Sequence, residues 1–247
     1  MNKLALITGG ARGIGRAIAI ELAKNNYDLV INYHTSKLEA NELKKTLTSK
    51  YGVNVLTFKA DISNEKEIDD MIEYINKNTN GVDILINNAA VDLSSLWNQK
   101  DVDSFKKTLD VNLLGAYMLS KKLAPHMLDK KWGRIVNISS TNGINTYFPM
   151  SIEYDASKAA LISLTHNLAM QYAPYIHVNA IAPGFIGTES ELEGYTPEFL
   201  KEEEEKILLK RYGKPEEVAY LVKFLISDEA EYINNSVIRI DGGQYGA

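Results

Sequence analysis

KLALITGGARGIG occupies residues 3–15. Its first half, Lys3–Thr8, is a short apolar run that ends in glycines, as a buried strand does. Its second half opens a helix. Ile14, Ile18 and Leu22 recur every four residues, with Ala17 and Ala19 alongside, which gives one buried face. Between the two lies TGGARGIG, Thr8–Gly15. A strand, a glycine turn and a helix start make an anion site. Glycine permits unusual φ/ψ and close backbone approach, while the helix end offers free N–H groups and a positive dipole. The spacing is G-x-x-x-G-x-G, not G-x-G-x-x-G, and the Lys-Ser/Thr of a P-loop is missing, so a mononucleotide P-loop is excluded. A tight turn with no ligand remains the plain alternative.

Outward from this unit the same alternation continues. Asp28–Tyr33 (DLVINY), Val53–Lys59, Val82–Asn87 (VDILIN), Arg134–Ser139 (RIVNIS), Ile176–Ile181 and Val237–Ile240 bring the strands to seven. Lys37–Lys50 and Glu65–Asn76 read as helices, and RYGKPEEVA starts another, with Pro215 in its first turn. Continuous β-branched runs between helices imply a parallel sheet covered on both faces. No proline- or glycine-rich linker and no repeat divides the chain, so one domain over residues 1–247 is expected. The run KEEEEK, Lys201–Lys206, reads as a solvated helix face.

Composition narrows the function. A net charge of −5 leaves no basic footprint for nucleic acid. No apolar run reaches the roughly 18 residues of a membrane span, and the N-terminal apolar stretch is too short for a signal peptide. There is no cysteine, which rules out thiol catalysis and fits a reducing cytoplasm. His34, His126, His166 and His177 are scattered without metal-ligand spacing, so no metal is expected.

YDASK, residues 154–158, places a phenol one helical turn before an ammonium. The spacing puts Tyr154 and Lys158 on one face, although Tyr-x-x-x-Lys alone is common in helices. The surrounding motifs add weight. TGGARGIG, Asp61 in KADIS, Asn87–Ala90 (NNAA), Asn112 in DVNLLG, Ser140 in NISSTNG, Tyr154 and Lys158, PGFIGT from Pro183, and Asp241–Gly243 follow in order along nearly the whole chain. In this order they resemble the short-chain dehydrogenase/reductase family, and within it bacterial 3-oxoacyl acyl-carrier-protein reductases. Two positions depart from the family. Its N-N-A-G ends here in Ala90, and the loop between Ser140 and Tyr154 is one residue longer than in the commonest members.

The resemblance implies an α/β, Rossmann-type doubly wound domain with a seven-stranded parallel sheet. It implies hydride transfer between a nicotinamide and a carbonyl or alcohol. A tyrosine hydroxyl has a reference pKa of about 10, and bringing it to about 7 takes roughly 4 kcal/mol of preferential stabilisation of the phenolate. Lys158 and a cationic nicotinamide are expected to do this. By resemblance, Lys158 also binds the nicotinamide ribose, Ser140 holds the substrate oxygen, and Asn112 holds a water that relays protons toward Lys158. Tyr147 is a rival acid, but Ser151 rather than lysine follows it four residues on. The expected cofactor contacts are Thr8, Gly9, Arg12, Gly13, Ile14, Gly15, Tyr33, His34, Asp61, Ile62, Asn88, Ala89, Tyr154, Lys158, Pro183, Gly184, Ile186 and Thr188.

NAD-binding domains place an acid at the end of the second strand, but here NYHTS puts Tyr33 at that point. Arg12 can pair with a 2′-phosphate through its planar fork, and His34 and Thr35 can add hydrogen bonds. NADP(H) is therefore expected over NAD(H). The segment at about 189–211 is expected to cover the substrate, with Leu192, Tyr195, Phe199, Ile207, Leu208 and Leu209 either lining an apolar site or docking the segment. A carrier protein would need basic residues, and Lys130, Lys131 and Arg134 form one patch expected near the entrance. Sugar, polyol or small-ketone reduction remains open, as does a noncatalytic NADP-binding sensor. Family members are usually tetramers built on the helix of Tyr154. Here Ala159, Ala160, Leu161, Leu164, Leu168 and Ala169 serve such an interface or the core.

Overall fold

The computed structural model describes residues 2–145 and 147–244. Met1, Thr146 and residues 245–247, which belong to the expected domain, lie outside the described residues. The strands are β1 Leu4–Ile7, β2 Asp28–Tyr33, β3 Val55–Lys59, β4 Ile84–Asn87, β5 Gly133–Ile138, β6 Ile176–Pro183 and β7 Val237–Ile240. The longer helices are α1 Gly13–Lys24, α2 Lys37–Tyr51, α3 Glu65–Asn78, α4 Val102–Leu109, α5 Ala116–Asp129, α6 Ile152–Tyr172, α7 Glu189–Gly194, α8 Pro197–Glu205 and α9 Pro215–Leu225. A π-helical turn, Asp110–Gly115, joins α4 to α5.

The strands form one parallel sheet in the order β3-β2-β1-β4-β5-β6-β7. Alternation along β1 splits its side chains between two cores. Ala5 and Ile7 join Ile18 and Leu22 of α1, Leu43 and Leu47 of α2 and Val222 of α9. Leu4 and Leu6 join Ile68 and Met71 of α3, Leu119 and Leu123 of α5 and Leu168 of α6. Both faces of β1 are therefore dry, which explains why its sequence is a continuous apolar run.

The topology sets the position of the site. Ile7 is in register with Ile31 of β2 on one side and Ile86 of β4 on the other. The chain leaves β1 toward one edge and later returns on its other side at β4. In a doubly wound sheet, a crevice opens at this reversal, beyond the carboxyl ends of the strands.

Candidate active site

A cavity of about 1060 Å³ occupies this crevice. The turn after β1 meets the chain after β4 there. Thr8 ties the two together, because its Oγ1 accepts from the N–H groups of Asn88 (2.9 Å) and Ala89 (3.0 Å). Asn88 Nδ2 in turn donates to the Thr8 carbonyl at 2.9 Å. Gly9 has φ +60°, and a Cβ there would stand 3.1 Å from Ala89 Cα. A Cβ at Gly15 would strike the Gly9 carbonyl and lie 2.6 Å from Asn88 Nδ2. Helix α1 begins at Arg12 without a side-chain cap, so its first N–H groups are available to a phosphate. A bare helix start behind a cradle that any side chain would fill fits a dinucleotide's pyrophosphate.

All the expected site residues line this cavity except Thr8, Gly15 and Asn112, which stand behind its wall. At the end of β2, Tyr33, His34 and Thr35 face the cavity together with Arg12. Asp61 follows β3. Its carboxyl is held low overall: partial burial raises it, but hydrogen bonds from Ser63 and the charges of His34 and Lys107 outweigh this.

Asn32 and Gln244 were missed in the sequence. Asn32 is buried within β2, where its Oδ1 accepts from the Gly9 N–H at 3.4 Å and its Nδ2 donates to the Ala60 carbonyl at 3.0 Å. It braces the glycine turn against the loop after β3. Gln244 Oε1 accepts from the Phe185 N–H at 3.1 Å beside Gly184. An asparagine inside the apolar run DLVINY was the available signal for the first; nothing local marks the second.

Ser140, Tyr154 and Lys158 converge at the far end of the cavity. Ser140 follows β5, and Tyr154 and Lys158 stand on the first turns of α6. Lys158 Nζ donates to the Ile138 carbonyl at 2.8 Å and lies 5.3 Å from the centre of the Tyr154 ring. Burial lowers the Lys158 ammonium to about 8. The Tyr154 phenol moves the other way. Burial raises it first and the Asp92 carboxylate second; a hydrogen bond with Ser140 opposes them, and Glu191 and Asp155 raise it further. The expected lowering rests on Lys158 together with a cationic nicotinamide; the protein's own groups hold the phenol protonated, with nearby carboxylates reinforcing burial.

Asn112 is buried beside the chain that follows β4. It sits in the π-helical turn, where its Nδ2 donates to the Val91 carbonyl (2.9 Å) and to Ser157 Oγ (3.0 Å). Its Oδ1 accepts from the Val91 N–H at 2.8 Å. The side chain therefore clamps the segment after β4 to α6, with both amide hydrogens engaged.

Three expectations are corrected. The basic patch lies at the start of β5, whereas the cavity is at its end. Arg134 is buried there, and Lys130 Nζ pairs with Asp83 Oδ1 at 2.6 Å, so the patch does not flank the entrance. In the segment expected to cover the substrate, only Tyr195 and Phe199, of the six apolar residues, line the cavity. Ile207 is core, and Leu192, Leu208 and Leu209 are exposed. The acidic run of α8 is not wholly solvated, since Glu203 lines the cavity and pairs with Lys206 at 2.7 Å.

A phosphate cradle at the switch point, next to a serine, a tyrosine and a lysine, defines a dinucleotide-dependent oxidoreductase. Comparison with known proteins agrees. A family model described as enoyl-(acyl carrier protein) reductase matches residues 9–244. The 3-oxoacyl-(acyl-carrier-protein) reductase of Aquifex aeolicus is 38% identical over 99% of this chain and 98% of its own. Glucose 1-dehydrogenase 2 of Bacillus subtilis is 32% identical over 98% of this chain and 94% of its own. The L-sorbose reductase of Gluconobacter frateurii, solved with NADPH and L-sorbose, superposes with a TM-score of 0.91 at 29% identity over 98% of this chain and 96% of its own. The chain belongs to the short-chain dehydrogenase/reductase family and is an oxidoreductase acting between CH–OH and C=O.

Proposed function

We propose that the chain interconverts a carbonyl and a secondary alcohol with NADP(H), using Tyr154 to move the proton. The observation that carries this is the convergence of Ser140, Tyr154 and Lys158 beside the glycine cradle. A bound nicotinamide supplies or accepts the hydride. Tyr154 gives its proton to the carbonyl oxygen as charge develops there, and Ser140 Oγ holds that oxygen. Held high by its surroundings, the phenol stays protonated at neutral pH, which suits the acid in reduction. Alcohol oxidation needs the phenolate, and Lys158, with its ammonium at about 8, supplies positive charge for it.

The absence of a carboxylate at the end of β2, with Arg12 beside Tyr33, His34 and Thr35, supports NADP(H) over NAD(H). The single sheet carries both halves of the cavity, which supports one unit over residues 1–247 with a substrate cover at about 189–211. Exposed Trp97, Val102 and Ile152 near α4 and α6 support a homotetramer. Among the described residues no helix is long and apolar enough to cross a membrane, which supports a cytoplasmic enzyme.

The relatives named as 3-oxoacyl-(acyl-carrier-protein) reductases support a 3-oxoacyl thioester as first substrate class, with acyl carrier protein as partner in fatty acid synthesis. One observation favours a second reading, a compact polar carbonyl or alcohol: Asp92, Glu189, Glu191, Glu193 and Glu203 all line the cavity, where they would repel an anionic thioester. The test follows NADPH absorbance after acetoacetyl-CoA or acetoin is added, with Tyr154→Phe in parallel. Loss of absorbance in the wild type alone supports the reading. NADPH that binds but is oxidised by no carbonyl would favour the noncatalytic sensor.

A further inference from the structure

We propose that the substrate carries a protonated amine close to its reacting carbonyl or hydroxyl group, and that Asp92 and Glu191 receive it. This rests on the carbonyl-reductase reading of the same cavity and on the second substrate class within it.

Asp92 lies just beyond β4 and is fixed in place. Ser151 Oγ donates to its Oδ2 at 2.8 Å, and Ser94 Oγ donates to its Oδ1 at 2.9 Å. Ser151 precedes the helix that carries Tyr154, so this carboxylate is registered against the reacting phenol. Glu191 comes from the first turn of α7, on the covering segment. Both carboxylates line the cavity, and both act on the Tyr154 phenol. Glu191 is itself raised, by burial and then by the charge of Asp92. The two acids and the reacting group therefore share one compartment.

Among the described residues no lysine or arginine pairs with these two carboxylates, and Arg12 lies with the glycine turn rather than beside them. Lys158 binds the Ile138 carbonyl, Lys206 pairs with Glu203, and Lys100 pairs with Glu153 at 2.6 Å. Lys107 acts on Asp61 in the cofactor half. Among the described residues, neither Asp92 nor Glu191 forms an ion pair. Like charges facing one space repel, and a cation bound there relieves the repulsion. A neutral hydroxyl would not, and an anion would worsen it. Aromatic rings share this wall: Tyr195 and Phe199 stack at 4.6 Å, and Phe185 lies 6.1 Å from Tyr195. Aromatic faces attract an alkylammonium as well as carboxylates do.

In the oxidative direction the carbinol carbon gives a hydride to NADP⁺ and the hydroxyl gives a proton to solvent by way of Tyr154. The product is an aminoketone. The experiment compares 1-amino-2-propanol with 1,2-propanediol as alcohols for NADP⁺ reduction, and acetoacetyl-CoA as an oxidant of NADPH. The two alcohols differ only in ammonium against hydroxyl. A kcat/KM at least about tenfold higher for the amine is expected. Glu191→Gln should cut the amine-to-diol ratio by about tenfold, and Glu191→Lys should take it below one. Among the described residues the Glu191 side chain makes no hydrogen bond or ion pair, so neither change removes a contact that holds the fold. A diol oxidised as well as the amine, or a thioester turned over while the amine is not, overturns the proposal and leaves the reaction intact. If none of the three changes the NADPH absorbance, the carbonyl-reductase reading fails and takes this inference with it.

Discussion

At one end of the cavity the glycine cradle is built from backbone; the opposite wall is built from side chains. Thr8, Gly9, Gly15 and Asn88 form one continuous knot whose members lie at two chain positions, held by hydrogen bonds to peptide groups. The opposite wall takes Asp92 from the loop after β4, Ser151 from just before α6, Tyr154 from its first turn, and Glu191 with Tyr195 and Phe199 from α7, α8 and the link between them. A phosphate group is the same in every reaction, so a fixed peptide cradle suffices for it. A substrate group differs between enzymes, so its site is assembled from exchangeable side chains on loops.

The largest expected effect falls where the two sides meet. Tyr154→Phe removes the proposed proton donor and leaves the cradle untouched. Turnover should fall by about 10³-fold or more, while the NADPH dissociation constant moves less than about threefold. Fluorescence titration beside steady-state rates checks both. A parallel loss of binding would show that the two sides are not separable.

Gly15→Ala breaks the cofactor side alone. The added methyl meets the Gly9 carbonyl and Asn88 Nδ2, which are fixed backbone and a hydrogen-bonded amide. Overpacking of this kind costs about 1–3 kcal/mol, and NADPH affinity should weaken by about 10- to 100-fold. Calorimetric titration and thermal melting measure the two effects. Arg12→Ala is milder. It should reduce NADPH affinity by about tenfold and leave NADH affinity within about twofold, because only the former carries the 2′-phosphate. An equal loss for both cofactors would remove Arg12 from the discriminating role.

The same contrast explains what was legible in the sequence. The cradle needs glycines at set spacings, so TGGARGIG announced it, and the β-branched runs announced the sheet. Asn32 supports the cradle from inside a strand, and Asn137 donates to Thr165 Oγ1 at 2.9 Å from inside another. Each is a single polar residue in an apolar run, a signal easily passed over. The acidic wall left no local pattern, because Asp92 and Glu191 come from loops far apart in the chain and meet only through the fold. The basic patch was misplaced for a related reason. Lys130–Arg134 and Ser140 are close in sequence, but β5 runs between them and carries them to opposite ends of the sheet.

The smallest expected effect concerns stability rather than rate. Lys158 is buried and its ammonium lowered from 10.5 to about 8, so below about pH 8 the folded protein holds a charge its surroundings disfavour. The sign follows from proton linkage. The unfolded chain binds the proton more tightly, so this group's contribution to stability rises with pH between about 8 and 10.5. Lys158→Met removes the charge at every pH. One pKa unit corresponds to about 1.4 kcal/mol, which puts the gain near about 3 kcal/mol at neutral pH. The orphaned Ile138 carbonyl returns about 1–2 kcal/mol of this. A net stabilisation of about 1–2 kcal/mol at pH 7, fading as the pH rises above about 8, is expected from urea melts, together with a collapse in turnover. A destabilised Lys158→Met at pH 7 would mean that the hydrogen bond to Ile138 outweighs the buried charge. The lysine would then be a structural member of the site as well as a catalytic one.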